Sequence, residues 1–250
     1  MADENIIKFL IPHKTEYKKL RLGDNFDGGY VVSEVLLEKS EALFSYGVGT
    51  NISFDLDYYK ITNKPVFIFD HTPCFISYLD PKMIYVEEGL GIKKEKCKDF
   101  IDHYNERKIS GPVLLKIDIE LNEYEYLETV NIKTLSEITT GIVIEFHKIN
   151  DKKISKRLYS ILERMNEFFI LNHIHGNNFR SVFDYKYGDY EIKNFPKYIE
   201  LTFLNKRYIV NAVPDLQTYP LKELDFPCNR KNETDHQIDI LNIWNKINLK

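Results

Sequence analysis

Gly47 and Gly49 frame the turn in FSYGVGTNISFD (residues 44–55), and the apolar run VFIFD ends at Asp70, 23 residues beyond Gly47. Glycines at such a turn let backbone approach a ligand with no Cβ in the way. The N–H groups that follow offer donors to an anionic or carboxylate group. An acid closing the next strand is placed to take two ribose hydroxyls. Together these residues suit binding of a nucleoside cofactor. The pyrophosphate fingerprint needs a third glycine three residues after the second, and Ile52 occupies that position. A cofactor with one ribose and an amino-acid tail, such as S-adenosylmethionine, does not need it.

A second group of polar residues stands at the ends of apolar runs, where open parallel sheets bind ligands. In VLLKIDIE (113–120), Lys116, Asp118 and Glu120 share one face of a strand. An acid in a strand buried on both sides is costly unless partnered. Asp118 is therefore a candidate site residue, while Glu120 could equally cap a helix starting near Glu123. In GIVIEFHKI (141–149), Glu145 and His147 share a face. His147 is placed to act as a base with Glu145 orienting its ring, and the plain alternative is a structural Glu–His pair. In FILNHIHGNN (169–178), His173 and His175 alternate onto one face before Asn177 and Asn178. Three histidines and nearby acids could also assemble a metal site. No helical or short-loop ligand motif supports one, and no metal is expected. The cluster from Arg21 to Asp24 with Asp27-Gly28-Gly29-Tyr30 is either a turn or a set of backbone donors over a ligand. His103, beside Asp99 and Arg107, reads as a solvated helix face.

The elements that must position these residues follow from periodicity. Runs at 42–48, 66–70, 83–88, 113–119, 141–147, 169–175 and 198–205 read as strands. Helical spacing marks 93–107 and 154–167 as core-facing helices. Strand and helix alternate through residue 168, which predicts a doubly wound α/β sheet. The expected fold is Rossmann-like: seven mostly parallel strands with an antiparallel C-terminal strand pair and helices on both faces. Such a sheet suits a methyltransferase better than a six-stranded dinucleotide fold. Residues 176–197 lack a clear period and are read as a long connection returning as an antiparallel hairpin. One domain over 1–250 is expected, with an N-terminal arm (1–41), a core (42–205) and a C-terminal extension (206–250) ending in a helix from about Asp235 to Ile247.

Bulk properties narrow the class. With 250 residues, 43% hydrophobic and 29% charged, the chain has the composition of a globular protein able to bury a sizeable core. A net charge of −4 with dispersed Lys and Arg gives no reason to expect a nucleic-acid polymer as partner. No apolar stretch approaches the ~20 residues that span a bilayer. Cys74, Cys97 and Cys228 show no C-x-x-C spacing, which fits a reduced, cytoplasmic setting. Oligomeric state is left open.

The laid-out motifs resemble the FkbM-type S-adenosylmethionine-dependent methyltransferases, in particular the branch found among surface-polysaccharide gene products. The matching elements are RLGDNFDGGYVV (21–32), SYGVGTNISFD (45–55), FDHT (69–72), LKIDIELNE (115–123), IVIEFH (142–147) and HIHGNN (173–178). The family pattern D-I-E-G-x-E has Leu121 here in place of its glycine. The resemblance implies methyl transfer to a hydroxyl, with S-adenosylmethionine as cofactor and a sugar or nucleotide sugar as acceptor in capsule or other polysaccharide biosynthesis. Under it, Tyr30, Gly47, Gly49, Asn51, Asp70, His71, Glu88 and Asp118 would contact cofactor. His147, Glu145 and Asp118 would carry the chemistry. Arg21, Glu120, His173, His175, Asn177 and Asn178 would hold the acceptor. Two other classes remain: a nicotinamide-dependent oxidoreductase on a nucleotide sugar, and a non-catalytic cofactor binder in a biosynthetic complex.

Overall fold

Short runs of β-branched and aromatic residues between polar turns build the central sheet of the computed structural model, which describes residues 5–72, 80–91, 95–231 and 234–248. Its strands are β1 (Leu43–Tyr46), β2 (Val66–Phe69), β3 (Met83–Val86), β4 (Val113–Ile117), β5 (Thr139–Phe146), β6 (Phe169–Gly176) and β7 (Ile199–Asn205). They lie in the order β6-β7-β5-β4-β1-β2-β3. Strands β5, β4, β1, β2 and β3 pair in parallel, and β7 runs antiparallel to both β5 and β6. All seven expected strands form, giving a Rossmann-like, mostly parallel α/β sheet. Its antiparallel element is the single strand β7, inserted between β5 and β6. The chain reaches it through a hairpin of Val182–Tyr187 and Tyr190–Pro196, as the aperiodic 176–197 segment suggested.

Side-chain alternation sorts the sheet into two faces, both of them buried. Leu114, Val143 and Ile68 pack with residues of helices α1 (Glu34–Lys39) and α2 (Ser53–Thr62). Leu115, Ile144 and Phe44 pack on the other face with α3 (Phe100–Arg107), α4 (Asn122–Thr129), α5 (Ile132–Ile138) and α6 (Lys152–Phe168). Helix α6 shows why such segments form. Asp151 caps it by accepting the N–H groups of Lys153 and Ile154, and Leu158, Ile161, Leu162 and Met165 make one buried stripe.

Three expectations need correction. The helix read over 93–107 begins at Phe100, because the Asp99 carboxylate accepts the Ile101 N–H at 3.0 Å and caps it there. Cys97–Lys98 instead pairs in parallel with Gly89–Leu90. His103 is not a solvated face: it is buried, with Nδ1 3.0 Å from the Tyr46 hydroxyl and Nε2 3.1 Å from Glu88 Oε2. The last helix, α7, spans Ile240–Asn248, since Ile238–Asp239 pairs with Thr218–Tyr219 just before it. Cys74 lies outside the described residues.

The arm before β1 helps build the site. A hairpin of Lys19–Leu22 and Tyr30–Ser33 lies beside β7, where Thr202 Oγ1 donates to the Val31 carbonyl at 2.6 Å. That contact brings Tyr30 and the 23–29 turn over the carboxyl ends of β1, β4 and β5. No helix among the described residues is long and apolar enough to cross a membrane.

Candidate active site

The glycine turn after β1 is locked from two sides. Gly47 has φ +74°, and a Cβ there would lie 1.7 Å from the Asp118 carbonyl oxygen, so only glycine lets β1 and β4 close up at this end. Gly49, at φ +53°, has no atom within 4 Å of its Cβ position. Asp70 draws the turn toward β2: its Oδ2 accepts the N–H groups of Val48 (3.1 Å) and Gly49 (2.9 Å), and its Oδ1 accepts from Thr72. These bonds hold the Asp70 carboxyl below the usual carboxylate range, against the opposing effect of burial. Asp70 therefore shapes the glycine turn as well as facing the cavity.

That cavity has a volume of about 540 Å³ and lies at the carboxyl ends of β1, β2 and β4, within the ~300–1,000 Å³ typical of small-molecule sites. Gly47, Gly49, Asn51, Asp70, His71, Asp118 and Glu120 line it, all of them candidates from sequence. Asp27 also lines it and was not among those candidates. Asn51 Nδ2 donates to the Asp27 carbonyl at 2.8 Å and holds the 23–29 turn over the opening.

A second pocket, about 220 Å³, opens beside the first and shares Asp27, Asp118 and Glu120 with it. Its walls include Glu145, His147 and Asn177. His147 follows β5 and is buried. Its Nδ1 lies 2.9 Å from Glu123 Oε1, an acid in the first turn of α4. The orienting carboxylate is thus Glu123 and not Glu145, whose Oε2 stands 3.8 Å from His147 Nε2. Nε2 also faces Asp118 Oδ1 at 3.8 Å and Glu120 Oε2 at 3.6 Å. Burial opposes the charged imidazole, but the Glu123 bond and the charges of Glu123, Asp118 and Glu120 raise its pKa above the ordinary value. Burial, with the charges of Asp118, Glu200 and Asp27, pushes the Glu145 carboxyl well up. Asp27 is exposed by surface area, yet loss of hydration at its carboxyl and the charges of Glu200 and Asp118 push it to about 6.

The turn that carries Glu120 is strained. Glu120 (φ +51°) and Leu121 (φ +78°) are both left-handed. Leu121 takes a glycine-type backbone conformation at a cost of about 1–2 kcal/mol. Glu120 projects outward as a result, with its side chain 83% exposed.

Other sequence candidates are engaged elsewhere. Tyr30 is buried and donates its hydroxyl to Asp118 Oδ2 at 2.9 Å, one step behind the pocket wall. Glu88 pairs with His103 and Lys98. Arg21 donates to the carbonyls of Asp24, Phe26 and Leu224 and braces the 23–29 turn. His173 Nε2 bonds Asp225 Oδ1, and burial lowers its pKa despite that partner. His175 lies between Glu200 (2.8 Å) and Asp235 (2.7 Å). Asn178 bonds the backbone of Thr234 and Asn229. These last three tie the sheet to the C-terminal segment.

No family model matches this chain, and no curated protein matches it. Among solved structures it is similar to the fibrillarin pre-rRNA processing protein of Methanococcus jannaschii, at 13% identity and a TM-score of 0.36, over 76% of this chain and 83% of that one. Likeness at that level says nothing of activity.

Proposed function

We propose that this chain is an S-adenosylmethionine-dependent methyltransferase of the FkbM type. In this reading it methylates a hydroxyl of a sugar or sugar nucleotide for capsule or another surface polysaccharide, in the cytoplasm, as a single domain. The observation that carries the reading is the junction of the two cavities. A cofactor-sized chamber beside a glycine turn meets a smaller chamber holding His147, and the wall between them is Asp118 and Glu120. The seven-stranded, mostly parallel sheet is consistent with it.

The larger chamber fits S-adenosylmethionine by size and by its open glycine. Gly47 and Gly49 would lie along the methionine tail, with Asp70 and His71 toward the ribose and Asn51 at the mouth. When bound, the cofactor supplies an already activated methyl group. What this chain must do is align an acceptor oxygen and help remove its proton. Alignment of this kind accounts for about 7–11 kcal/mol at its best. His147, fixed through Glu123, is the side chain nearest that oxygen, with Asp118 and Glu145 beside it and Asn177 on the acceptor wall.

Calorimetry with S-adenosylmethionine, its demethylated product and NADH tests the cofactor. Micromolar binding of the first two and none of the third is expected. Tight NADH binding without the others would replace this reading with the oxidoreductase one, for which Ile52 is the wrong residue. Methyl transfer is then measured on hexose and heptose phosphates and nucleotide sugars. No transfer to any of them would leave only a non-catalytic binder.

A further inference from the structure

Three side chains of the smaller pocket are each held by one outer atom, which leaves their inner atoms facing a common gap. The Tyr30 hydroxyl engages Asp118 Oδ2, so Oδ1 faces inward. Asn177 Nδ2 engages Glu145 Oε1, so Oε2 faces inward. Glu123 Oε1 engages His147 Nδ1, so Nε2 faces inward. The inner atoms Oδ1 and Oε2 each stand 3.8 Å from Nε2, too far for a hydrogen bond. The donor atoms of the three residues all lie within 4.8 Å of one another. Two atoms about 2.1–2.3 Å from one ion stand about 3.0–3.8 Å apart. The spacing therefore suits ligands around a cation and not a hydrogen-bonded cluster.

We propose that Asp118, Glu145 and His147 bind one divalent cation, with Glu120 Oε2, 3.6 Å from Nε2, as a further ligand from the rim. Two or three carboxylate oxygens with one imidazole favour a metal of the manganese type. Tyr30, Asn177 and Glu123 form the outer shell that aims the ligands. A carboxylate holding the far nitrogen of a metal-binding histidine is the usual arrangement of such sites. Open positions on the ion face the junction with the larger cavity, where hydroxyl oxygens of an acceptor complete the coordination. His147 then acts as a ligand and not as the base: the ion lowers the pKa of the bound hydroxyl, and the released proton passes to solvent at the exposed rim beside Glu120. Only this role in the reaction rests on the methyltransferase reading; the binding site rests on geometry.

A second group, His175, Glu200 and Cys228, also brings donor atoms within 4.8 Å of one another. There both ring nitrogens of His175 already have carboxylate partners, and the thiol favours softer metals. Mn²⁺ is therefore the probe.

Chelator-treated full-length protein is titrated with MnCl₂ alone and followed by electron paramagnetic resonance of free Mn²⁺. One Mn²⁺ per chain is expected, with affinity reduced at least tenfold in Glu145→Gln and about 10–100-fold in Glu123→Gln. Cys228→Ser should bind as wild type does. Circular dichroism identifies any variant that fails to fold. In that case Asp118→Asn, which can still pair with the Tyr30 hydroxyl, replaces it. Absence of stoichiometric binding by wild type at millimolar Mn²⁺ overturns the site, as does binding lost in Cys228→Ser but kept in Glu145→Gln. Calorimetry with S-adenosylmethionine in EDTA separates the two ideas. Cofactor binding without Mn²⁺ binding removes the metal site alone, and Mn²⁺ binding without cofactor binding removes the methyltransferase reading alone.

Discussion

Glu123 holds His147 twice, through the backbone N–H at 3.2 Å and through ring Nδ1 at 2.9 Å, both on the single oxygen Oε1. The Tyr124 hydroxyl adds a third tether by donating to the His147 carbonyl at 2.7 Å. A carboxylate at Nδ1 places the ring hydrogen there and leaves the Nε2 lone pair toward the pocket. Glu123 is a positioning residue, so its loss should cost turnover and not cofactor binding. Glu123→Ala is expected to lower kcat by about 10–100-fold, and His147→Ala by about 10²–10⁴-fold. Affinity for the demethylated cofactor, measured by calorimetry, should stay within about threefold in both. A large loss of that affinity would mean the pocket itself had collapsed.

The two glycines of the first turn should respond differently. Gly47→Ala puts a methyl group 1.7 Å from the Asp118 carbonyl oxygen at a φ of +74°. Either β1 or β4 must move, so we expect about 1–3 kcal/mol for the clash on top of the left-handed backbone cost of about 1–2 kcal/mol, and at least tenfold weaker cofactor binding. Gly49→Ala meets nothing within 4 Å and should cost about 1–2 kcal/mol for its left-handed backbone. Thermal melts compared with calorimetric affinity separate the two effects. Equal melting temperatures for the two variants would contradict the close approach of Gly47 to β4.

The sheet was legible because each strand is a short apolar run, and in β4 and β5 the acids and the histidine stand at or just past the carboxyl end. The same rule found Asp118, Glu145 and His147. It missed Glu123, since an acid in the first turn of a helix looks like an ordinary helix-dipole partner. Its position three residues after Glu120 in LKIDIELNE was the available signal. Asp27 was hidden in a turn whose placement depends on distant Asn51. His173 and His175 do share a face, as alternation requires. That face is covered by Asp225, Cys228 and Asp235, and no local pattern in the sequence announces what a C-terminal segment will cover.

His175 gives that covering segment a measurable role. The imidazole is buried between Glu200 and Asp235, and although burial lowers its pKa, the Glu200 charge and these bonds raise it well above the ordinary value. Removing the cation strands the buried Glu200 and the half-buried Asp235, and breaking such an arrangement typically costs about 3–5 kcal/mol. His175→Ala should lose stability on that scale in urea melts at pH 7 and become sensitive to proteolysis after residue 205. A loss under 1 kcal/mol would mean that the segment is held by other contacts.

Asp55 should set part of the pH dependence of stability. It lies on α2, fully buried, with no hydrogen-bond partner for either carboxylate oxygen. Burial raises its pKa from 3.8 to about 6, with the Lys116 charge and the nearby Ser45 hydroxyl, which is out of good hydrogen-bond geometry, only partly offsetting the effect. A folded-state pKa above the unfolded value means that the native chain holds the extra proton between about pH 4 and 6. The associated stability is fully present below the unfolded pKa and is lost as pH rises through about 6, a change worth up to about 3 kcal/mol. Asp55→Asn carries no titrating proton, so its unfolding free energy should fall less than that of wild type between pH 4.5 and 7.5. Parallel curves for the two proteins in urea titrations across that range would show that Asp55 keeps an ordinary pKa and that its burial is relieved by Lys116.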